Sequence, residues 1–584
     1  MEQQRQAELA LEQLMNNISL TENEKKSLEV EVKKHMGLDE LNLEYFKILY
    51  RKFKNPKKTD KPLKIIEKEE DRKNQEWTWA YPTASAPADV MKSFPVCHYA
   101  DLKKTGLKGE AKRSVLWIKK MQAGSGSSLT RETYLVRMTG QSNVRIGAKG
   151  TDLYARISGK DVTLAELQIL QSIADVTQEN YAGVILHDIV SSETEEAIQK
   201  IWDKVCPLTN KTYRQMVKET KGMGLSGKTF QAYIPTIGED GLLTSKRKAP
   251  GGHALFGVDA LRAAILDELR PDLPSGTDLI GVVGNGEDLS SSPDPLMVEW
   301  MVREKIAVAM VTTSKTSIDL KGGQMALVPL EGNQFYVSMI EKAQADSANQ
   351  GKLFEDLGLR AQDREAFFNT NMVLINYKVL IPQLKKLIQE IGEQQFFDVV
   401  APDLILNVKK QKDEGQDRKF TQLEGAMGTV FLNLDRFWRS RYKTGILHIL
   451  NVEAQERTRF FSPIKTAFDY VMQFHSDRFV LDEKTCRILN NRPGKLPFVS
   501  LKDDFYKDVE NTLESFKGVK IQNLNTLELD GVALFEGIEL VGKVKIVIPQ
   551  GIKISLRDKL KRGQIENERL VFSSNGDLVE QEAV

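Results

Sequence analysis

Runs of consecutive apolar residues recur along the chain from about residue 110, and segments with helical spacing separate them. The apolar runs are "SVLWIKKM" (114–121), "AGVILHDI" (182–189), "DLIGVVGN" (278–285) and "IAVAMVTT" (306–313). Helical spacing is seen in "LAELQILQSI" (164–173) and "VDALRAAILDEL" (258–269). Strands that are apolar on both faces, with helices between them, are typical of a largely parallel sheet covered by helices on both sides. The pattern therefore predicts an α/β fold.

In such sheets ligands bind beyond the carboxyl ends of the strands, and two segments of this sequence are expected there. One is "AGSGSSLTR" (123–131) and the other is "GNGED" (284–288). Closely spaced glycines let backbone N–H groups approach an anion, because glycine lacks a Cβ and adopts positive φ. The same composition also forms an ordinary turn. The residues alone leave both interpretations of 123–131 open, a phosphate-binding loop or a turn.

Charge and composition narrow the classes of function. The 584 residues carry 82 Lys and Arg against 81 Asp and Glu, so no overall field favours nucleic acid or an anionic membrane. Three widely spaced cysteines, Cys97, Cys206 and Cys486, indicate a reducing compartment rather than disulfides or a zinc site. The N-terminus is unlike a signal peptide, and no apolar stretch is long enough to span a bilayer. We therefore expect a cytoplasmic protein that binds neither nucleic acid nor membrane.

The two ends of the chain carry other patterns. Residues 1–36 have helical spacing, and a charged connector follows over 51–75. Near the C-terminus Val532, Ile538 and Val544 recur every six residues beside turn glycines, which predicts a short parallel β-helix. The predicted units are an N-terminal helical region with connector (1–109), a central α/β domain (110–480) and a C-terminal β-helix domain with tail (481–584).

Six segments carry a resemblance through the middle of the chain. In order they are "PGGHALF" (250–256), "VVGNGEDLSSSPDP" (282–295), "TTSKTSIDLKGGQM" (312–325), "FFNTNMVLIN" (367–376), "TQLEGAMG" (421–428) and "RTRFFSPIKTAFDYVM" (457–472). They resemble, in the same order, motifs of the eukaryotic-type UTP–glucose-1-phosphate uridylyltransferase (UDP-sugar pyrophosphorylase) family. The third segment agrees closely with that family's Thr-x-Lys-Thr-x-x-Asp-x-Lys-Gly-Gly. The sequence is thus similar to a divergent member, over roughly residues 110–555.

This resemblance implies a mixed, largely parallel nucleotidyltransferase sheet of Rossmann-like type, followed by a short left-handed β-helix. It implies that UTP and a sugar 1-phosphate, glucose 1-phosphate first among them, react to give a UDP-sugar and pyrophosphate with Mg²⁺ as cofactor. The sugar-phosphate oxygen attacks the α-phosphorus in line, so the protein mainly supplies positioning and positive charge. The open ends of a short β-helix also predict a homo-oligomer formed through the C-terminal domain.

The resemblance, together with residue chemistry, assigns roles to individual positions. The expected catalytic residues, all of them phosphate-binding, are Lys465, Arg131 and Lys149. The expected metal ligands are Glu287 and Asp288, since hard carboxylate oxygens suit Mg²⁺. The expected nucleotide contacts are Gly124, Gly126, Ser127, Gly252, His253 and Asn285. The expected sugar contacts are Gly322, Gly323, Asn371 and Glu424.

The chain departs from the family pattern in its glycine loop. The glycines are rearranged, and residues 132–147 separate them from Lys149, which stands in for the family's phosphate-binding lysine. Under an alternative alignment Asp152 takes that place and would repel phosphate. Glu287 stands where the family has an aspartate. These departures motivate a second hypothesis, a catalytically impaired relative that binds nucleotide-sugar or serves as an interaction protein. A glycosyltransferase with a similar sheet is a third.

Overall fold

The computed structural model describes residues 40–54, 63–74, 76–124, 126, 129–140, 147–319, 322–330, 334–413, 416–492, 494 and 496–584. The helical region predicted over 1–36 and the predicted nucleotide contact Ser127 lie outside the described residues. The strands, in chain order, are β1 Leu63–Ile65, β2 Thr78–Pro82, β3 Val96–His98, β4 Ser114–Met121, β5 Tyr154–Ile157, β6 Lys160–Thr163, β7 Gly183–Val190, β8 Met223–Phe230, β9 Tyr233–Ile237, β10 Leu243–Pro250, β11 Asp278–Asn285, β12 Val308–Ser314, β13 Gln324–Pro329, β14 Phe335–Ile340, β15 Phe367–Asn376, β16 Leu404–Asp413, β17 Gln416–Gly425, β18 Leu447–Val452, β19 Phe479–Asp482, β20 Arg487–Asn490, β21 Phe498–Leu501, β22 Leu524–Asp530, β23 Val532–Leu534, β24 Glu539–Val547, β25 Lys553–Ser555, β26 Gln564–Phe572 and β27 Leu578–Ala583.

Helices lie between most of these strands. The α-helices are Glu40–Lys54, Ala88–Met91, Tyr99–Thr105, Tyr134–Thr139, Lys149–Asp152, Leu164–Thr177, Glu195–Asp203, Tyr213–Glu219, Ala254–Ile265, Pro295–Arg303, Lys342–Ser347, Gly351–Asp356, Tyr377–Ile391, Glu393–Val400, Met427–Tyr442, Arg457–Phe460, Ala467–Phe474, Val509–Ser515 and Leu556–Leu560. Short 3₁₀ turns occur at Glu69–Lys73, Ala111–Arg113, Asp267–Leu269 and Asp504–Lys507. Within the ranges given above, every helix is too short or too polar to cross a membrane.

The predicted apolar runs form strands of one mixed central sheet. β4 pairs in parallel with β7 and with β11, and β8 pairs in parallel with β7. β15 joins the two halves of the sheet, because it pairs antiparallel with both β11 and β12, and β12 pairs in parallel with β18. The predicted α/β fold with a large, largely parallel sheet is confirmed.

Two cores cover the two faces of this sheet. Along β4, Val115 and Trp117 belong to the core that includes helices Ala254–Ile265 and Met427–Tyr442. Leu116 and Ile118 belong to the opposite core, which includes helices Leu164–Thr177 and Pro295–Arg303. Successive strand residues point to opposite faces, so a strand buried on both sides can be apolar at consecutive positions, as residues 115–118 of β4 are. This is the physical reason for the continuous apolar runs.

The structure differs from the predicted units at the N-terminal boundary. β1 pairs with β2, β2 pairs with β13, and β3 pairs with β18, all within the central sheet. The segment from residue 63 to residue 98 therefore supplies strands to the α/β domain. These strands are three to five residues long and only partly buried, so they leave no clear apolar run in the sequence.

A separate antiparallel sheet lies beside the central one. It has the strand order β10-β9-β17-β16. Helix Glu40–Lys54 packs against it, and the buried Tyr45 hydroxyl donates a 2.5 Å hydrogen bond to the Gly251 carbonyl at the end of β10. This contact fixes segment 250–252 against helix Glu40–Lys54.

The C-terminal part consists of stacked strands. β21, β22, β24 and β26 pair in parallel, β23 pairs in parallel with β25, and β27 closes one edge antiparallel. Leu529, Ile546 and Leu570 lie in register on adjacent strands and are fully buried, so they form an interior ladder. Of the predicted six-residue repeat, Ile538 and Val544 are buried, whereas Ala533 takes the interior position beside Val532.

Candidate active site

A cavity of about 920 Å³ lies between the central sheet, the β9–β10–β16–β17 sheet and the C-terminal strands. Its lining includes predicted nucleotide or sugar contacts from separate segments of the sequence and one predicted catalytic residue. They are Gly252, His253, Gly322, Gly323, Asn371 and Glu424, with Lys465 as the catalytic residue. The fold therefore brings together motifs that are more than two hundred residues apart along the chain. Pockets of this size accommodate ligands as large as a nucleotide-sugar.

The glycine segment before helix Ala254–Ile265 forms one wall. Gly252 has φ +83°, and a Cβ at this position would lie 2.6 Å from the Gly425 carbonyl oxygen. The Gly425 N–H donates a 3.0 Å hydrogen bond to the Gly251 carbonyl. Glycine is required at 252 both for its backbone conformation and for this close approach. The wall thus joins two of the segments that carry the family resemblance.

His253 follows directly and faces the same cavity. Burial lowers the pKa of its imidazole, and the positive charge of Lys465 lowers it further, although Glu287 acts in the opposite direction. The ring is therefore neutral at pH 7, with one nitrogen to donate and one to accept. A neutral histidine here can bind a ligand hydroxyl or carbonyl without adding charge.

Polar groups on β15 and β17 also line the cavity. Asn371 adopts φ +62°, and its side-chain oxygen accepts a 2.9 Å hydrogen bond from Asn369 Nδ2. The Glu424 carboxylate accepts from Asn407 Nδ2 at 3.2 Å, and burial raises its pKa. Both side chains are held in place by neighbours, which leaves them arranged to bind hydroxyl groups of a ligand.

Gly322 and Gly323 are required for packing at the floor of the cavity. A Cβ at Gly322, which has φ +108°, would lie 2.7 Å from Phe368 Cζ. A Cβ at Gly323 would overlap the side chain of Met339. These glycines let the backbone come close to both side chains, and their predicted contact with the sugar stays a prediction.

Glu341 is a cavity residue that the sequence analysis did not identify. It lies between β14 and helix Lys342–Ser347, and burial raises its pKa to about 7. Its backbone N–H donates to Gln344 Oε1 at 2.9 Å, so in sequence the pair reads as an ordinary helix start. The sequence feature that could have identified Glu341 is a carboxylate directly after a buried apolar strand.

A positively charged cluster lies at one end of the cavity. Lys465 Nζ is 3.6 Å from Glu287 Oε1, and Lys149 Nζ donates a 2.8 Å hydrogen bond to the carbonyl of Ile464, next to Lys465. Burial lowers the pKa of Lys149, and Lys465 adds to the lowering while Glu287 opposes it. Burial raises the pKa of Glu287, but the charges of Lys465 and Lys149 outweigh that effect and the net pKa is lowered. Three predicted residues from separate segments thus form one site with a net positive charge.

The backbone at Lys465 is fixed by the helix that follows it. Asp469 Oδ2 accepts hydrogen bonds from the N–H groups of Lys465 at 2.9 Å and Thr466 at 2.7 Å. The Thr466 hydroxyl accepts in return from the Asp469 N–H at 3.1 Å, which completes a capping box at the start of helix Ala467–Phe474. The cap leaves the Lys465 side chain 59% exposed toward the cavity.

The glycine loop lies against this cluster. Gly124 is exposed, and a Cβ there would have no atom within 4 Å. Gly126 has φ +58°, and a Cβ there would lie 2.8 Å from Lys149 Cγ and 3.0 Å from Arg131 Nη2. The loop that was predicted to bind phosphate is therefore in contact with the lysine that was predicted to help it.

Arg131 is placed differently from the phosphate contact that was expected. Its side chain is only 4% exposed, and its guanidinium donates to Asp152 and to the carbonyls of Gly126 and Leu129. In this conformation the guanidinium does not face the cavity. Asp152, with a side chain that is 0% exposed, is bound by Arg131 and by the Tyr134 N–H. Since its charge is enclosed and paired, Asp152 does not present a carboxylate that would repel a phosphate.

Asp288 is also placed differently from the metal ligand that was expected. Its side chain is 0% exposed and accepts hydrogen bonds from the N–H groups of Ser290 and Ser462, and burial raises its pKa to about 6. It holds the loop after β11 in place, and its oxygens are not available to a ligand. Asn285, a predicted nucleotide contact, is likewise buried, with Nδ2 3.5 Å from the Thr370 carbonyl.

Of the two carboxylates that were predicted to bind a metal ion, Glu287 is the one that remains available. In the described part of the chain, no three His, Cys, Asp or Glu side chains are grouped closely enough to hold one. Mg²⁺ commonly binds one or two carboxylates and takes its other ligands from water and substrate phosphates. A single carboxylate beside two lysines fits such an ion only when phosphates are bound with it.

Comparison with known proteins agrees with this geometry. The family model described as UTP–glucose-1-phosphate uridylyltransferase matches residues 101–540. Proteins of that name from Encephalitozoon cuniculi and Solanum tuberosum are 26% and 28% identical over 61% and 53% of this chain. These alignments span 62% and 56% of the relatives' own lengths.

Solved structures show the same fold. UDP-glucose phosphorylase from Trypanosoma brucei superposes with a TM-score of 0.64 at 20% identity, covering 92% of this chain and 97% of that one. A variant of UDP-glucose pyrophosphorylase from Leishmania major, in complex with UDP-glucose, superposes with a TM-score of 0.61 at 19% identity, covering 94% and 100%. With a family model that matches three quarters of its length, the chain belongs to the UTP–glucose-1-phosphate uridylyltransferase family.

Proposed function

We propose that this chain is an active uridylyltransferase that converts UTP and a sugar 1-phosphate, glucose 1-phosphate first among the candidates, into a UDP-sugar and pyrophosphate. The observation that supports it most strongly is the convergence of Lys149, Lys465 and Glu287 beside a cavity lined by His253 and Glu424. Membership of the family supplies the reaction class. The cavity supplies room for both substrates on one surface.

In the proposed reaction, an oxygen of the sugar phosphate attacks the α-phosphorus of UTP. A new P–O bond forms as the bond to the β,γ-pyrophosphate breaks, and the electron pair leaves with the pyrophosphate. Lys465 lies at the phosphate end and stabilises the negative charge on the α-phosphoryl oxygens as it grows. Lys149 and the glycine loop hold the leaving phosphates in line.

The other end of the cavity would bind the neutral part of the ligands. Asn371 and Glu424 carry side-chain oxygens fixed by neighbouring amides, which suits hydrogen bonds from sugar hydroxyl groups. The raised pKa of Glu341, about 7, makes this second carboxyl able to donate or accept near neutral pH. His253, neutral at pH 7, can bridge between the sugar and the nucleotide.

Mg²⁺ is proposed as the cofactor, with the Glu287 carboxylate as its protein ligand and phosphate oxygens completing the shell. When bound, the ion would neutralise phosphate charge that the lysines leave uncompensated. Glu287 is already ionised, because Lys465 and Lys149 lower its pKa. The carboxylate therefore needs no proton transfer before it can bind a cation.

The second hypothesis, an impaired relative, was motivated by the rearranged loop, where an alternative alignment puts Asp152 at the lysine position, and by Glu287 in place of the family's aspartate. The enclosed pairing of Asp152 with Arg131 removes the repulsive charge, and Lys149 lies beside Lys465. These two contacts favour the active enzyme.

We also propose that the stacked C-terminal strands form a short left-handed β-helix through which copies associate. We further propose that the protein acts in the cytoplasm.

The proposed function is tested with purified protein, UTP, Mg²⁺ and a panel of sugar 1-phosphates, with released pyrophosphate as the readout. We expect turnover with at least one sugar 1-phosphate and reversal when UDP-sugar and pyrophosphate are supplied instead. Saturable binding of UDP-sugar without turnover in either direction would contradict the proposal and support the impaired relative.

A further inference from the structure

We propose that Arg131 and Asp152 are positioning residues, a buried ion pair that holds Lys149 and the glycine loop in register for the reaction. This inference rests on the proposed function. It differs from the expectation that Arg131 binds phosphate, because the guanidinium is enclosed within the protein.

The pair connects the two sides of the segment 132–147 that separates the loop from Lys149. Arg131 Nε is 2.9 Å and Nη2 is 2.7 Å from Asp152 Oδ2. On the loop side, Arg131 Nη1 donates to the carbonyls of Gly126 at 2.9 Å and Leu129 at 2.8 Å. On the far side, Nη2 donates to the Gly147 carbonyl at 2.5 Å. One guanidinium therefore binds described residues on both sides of that segment.

Asp152 transmits this constraint to Lys149. The two residues are the ends of the one-turn helix Lys149–Asp152, so fixing the carboxylate fixes the start of that helix. Asp152 Oδ1 also accepts from the Tyr134 N–H at 2.8 Å and the Thr151 hydroxyl at 3.2 Å. From the opposite end of the helix, Lys149 Nζ reaches the Ile464 carbonyl beside Lys465. The ion pair is thus linked to the charged cluster through one helical turn.

The shape of arginine is essential to this arrangement. Its planar fork provides five N–H donors in fixed directions, whereas the ammonium of lysine provides three donors at one point. A lysine at 131 keeps the charge but cannot bind Asp152 and the carbonyls on both sides together. Arg131→Lys should then leave the fold intact and displace Lys149. A displacement of about 1 Å at a reacting group lowers the rate by about 100-fold.

The experiment compares Arg131→Lys and Asp152→Asn with a matched control, Arg487→Lys. Arg487 forms a similarly enclosed pair with Asp175, at 2.7 Å, between β20 and helix Leu164–Thr177. We expect both site variants to lower kcat about 100-fold with less than a threefold change in KM for UTP. The control should lower the unfolding midpoint by a similar amount and keep kcat within threefold of wild type.

A double-variant measurement separates positioning from a general structural role. If Arg131 acts through Lys149, then Arg131→Lys should cost less than about threefold in kcat when Lys149→Ala is already present. An equal loss of kcat in both backgrounds would overturn the inference, as would a loss no greater than that of the control. Asp152→Asn, which retains the acceptor for the Tyr134 N–H, provides the same test if Arg131→Lys fails to unfold cooperatively.

A wild-type protein without turnover would refute the proposed function itself, whereas an active wild type with unaffected site variants would refute only the positioning role.

Discussion

Replacing Lys465 by alanine should separate catalysis from stability. The side chain is 59% exposed and pairs with Glu287 at 3.6 Å. Exposed ion pairs contribute about 0–1 kcal/mol to the free energy of unfolding. The cap that fixes the backbone uses the N–H of residue 465, which alanine retains. We therefore expect Lys465→Ala to fold normally, with an unfolding midpoint close to that of wild type.

Its effect on the reaction should be far larger. Two unit charges about 4 Å apart interact by about 4 kcal/mol at an effective dielectric of about 20, the value typical near a protein surface. Removing one preorganised group that meets charge in the transition state usually costs about 3–4 kcal/mol, which is a factor of about 100–1,000 in kcat. The variant also removes one of the two lysine charges that offset Glu287, and the less compensated negative charge near the phosphates acts in the same direction.

Lys502 provides a matched control in the same cavity. It is 60% exposed, pairs with Asp530 at 3.0 Å and lines the part of the cavity formed by the C-terminal strands. Single-turnover release of pyrophosphate, measured for Lys465→Ala and Lys502→Ala under saturating UTP and Mg²⁺, reports the chemical step directly. A Lys465→Ala rate within threefold of wild type would refute the assigned role. An equal loss in Lys502→Ala would show that the effect comes from the overall field.

Three further outcomes follow from other parts of the structure. Because burial raises the pKa of Glu341 from 4.5 to about 7, its contribution to stability is present below pH 4.5 and is lost as pH rises through 7. In denaturant titrations, the free energy of unfolding of Glu341→Gln should therefore rise by about 2–3 kcal/mol relative to wild type between pH 5 and pH 8. An unfolding free energy that depends on pH in the same way in both proteins would contradict this. Gly252→Ala should lower the free energy of unfolding by about 1–3 kcal/mol, because φ is +83° and a Cβ would lie too close to the Gly425 carbonyl. In the same titration the control Gly124→Ala should cost almost nothing, because its Cβ would lie in open space. If β27 is the edge through which copies associate, Val579→Lys, at a position 62% exposed, should lower the mass measured by light scattering, and a wild-type protein already monomeric at micromolar concentration would exclude the idea.

The central sheet could be predicted from the sequence because its strands are buried on both faces. β4 and β11 begin and end at the predicted residues, 114–121 and 278–285, since every side chain along them is buried. β1 to β3 could not be predicted in this way. They are short and partly exposed, so their pairing depends on strands that occur much later in the chain.

The candidate site likewise contains residues that could be predicted from the sequence and residues that could not. Motif resemblance brought Lys465, His253, Asn371 and Glu424 into one prediction, and the fold places them around one cavity. Glu287 and Asp288 are adjacent carboxylates with the same chemistry, and only the packing of the loop after β11 makes one available and encloses the other. The partner of Arg131 was equally beyond sequence patterns, because Asp152 lies on the far side of an intervening segment.

The glycine loop is also tied to the last part of the chain. The Thr130 N–H donates to the Lys507 carbonyl at 3.0 Å, and the Val509 N–H donates to the Thr130 carbonyl at 2.9 Å, so residues 130 and 508 form a parallel bridge. During synthesis at about 5–20 residues per second, about 20–75 seconds separate the emergence of these two positions from the ribosome. Until then the loop of the nascent chain lacks these two hydrogen bonds. A chain that ends before residue 507 would lack this support for the loop, and we expect activity only in chains that include the C-terminal strands.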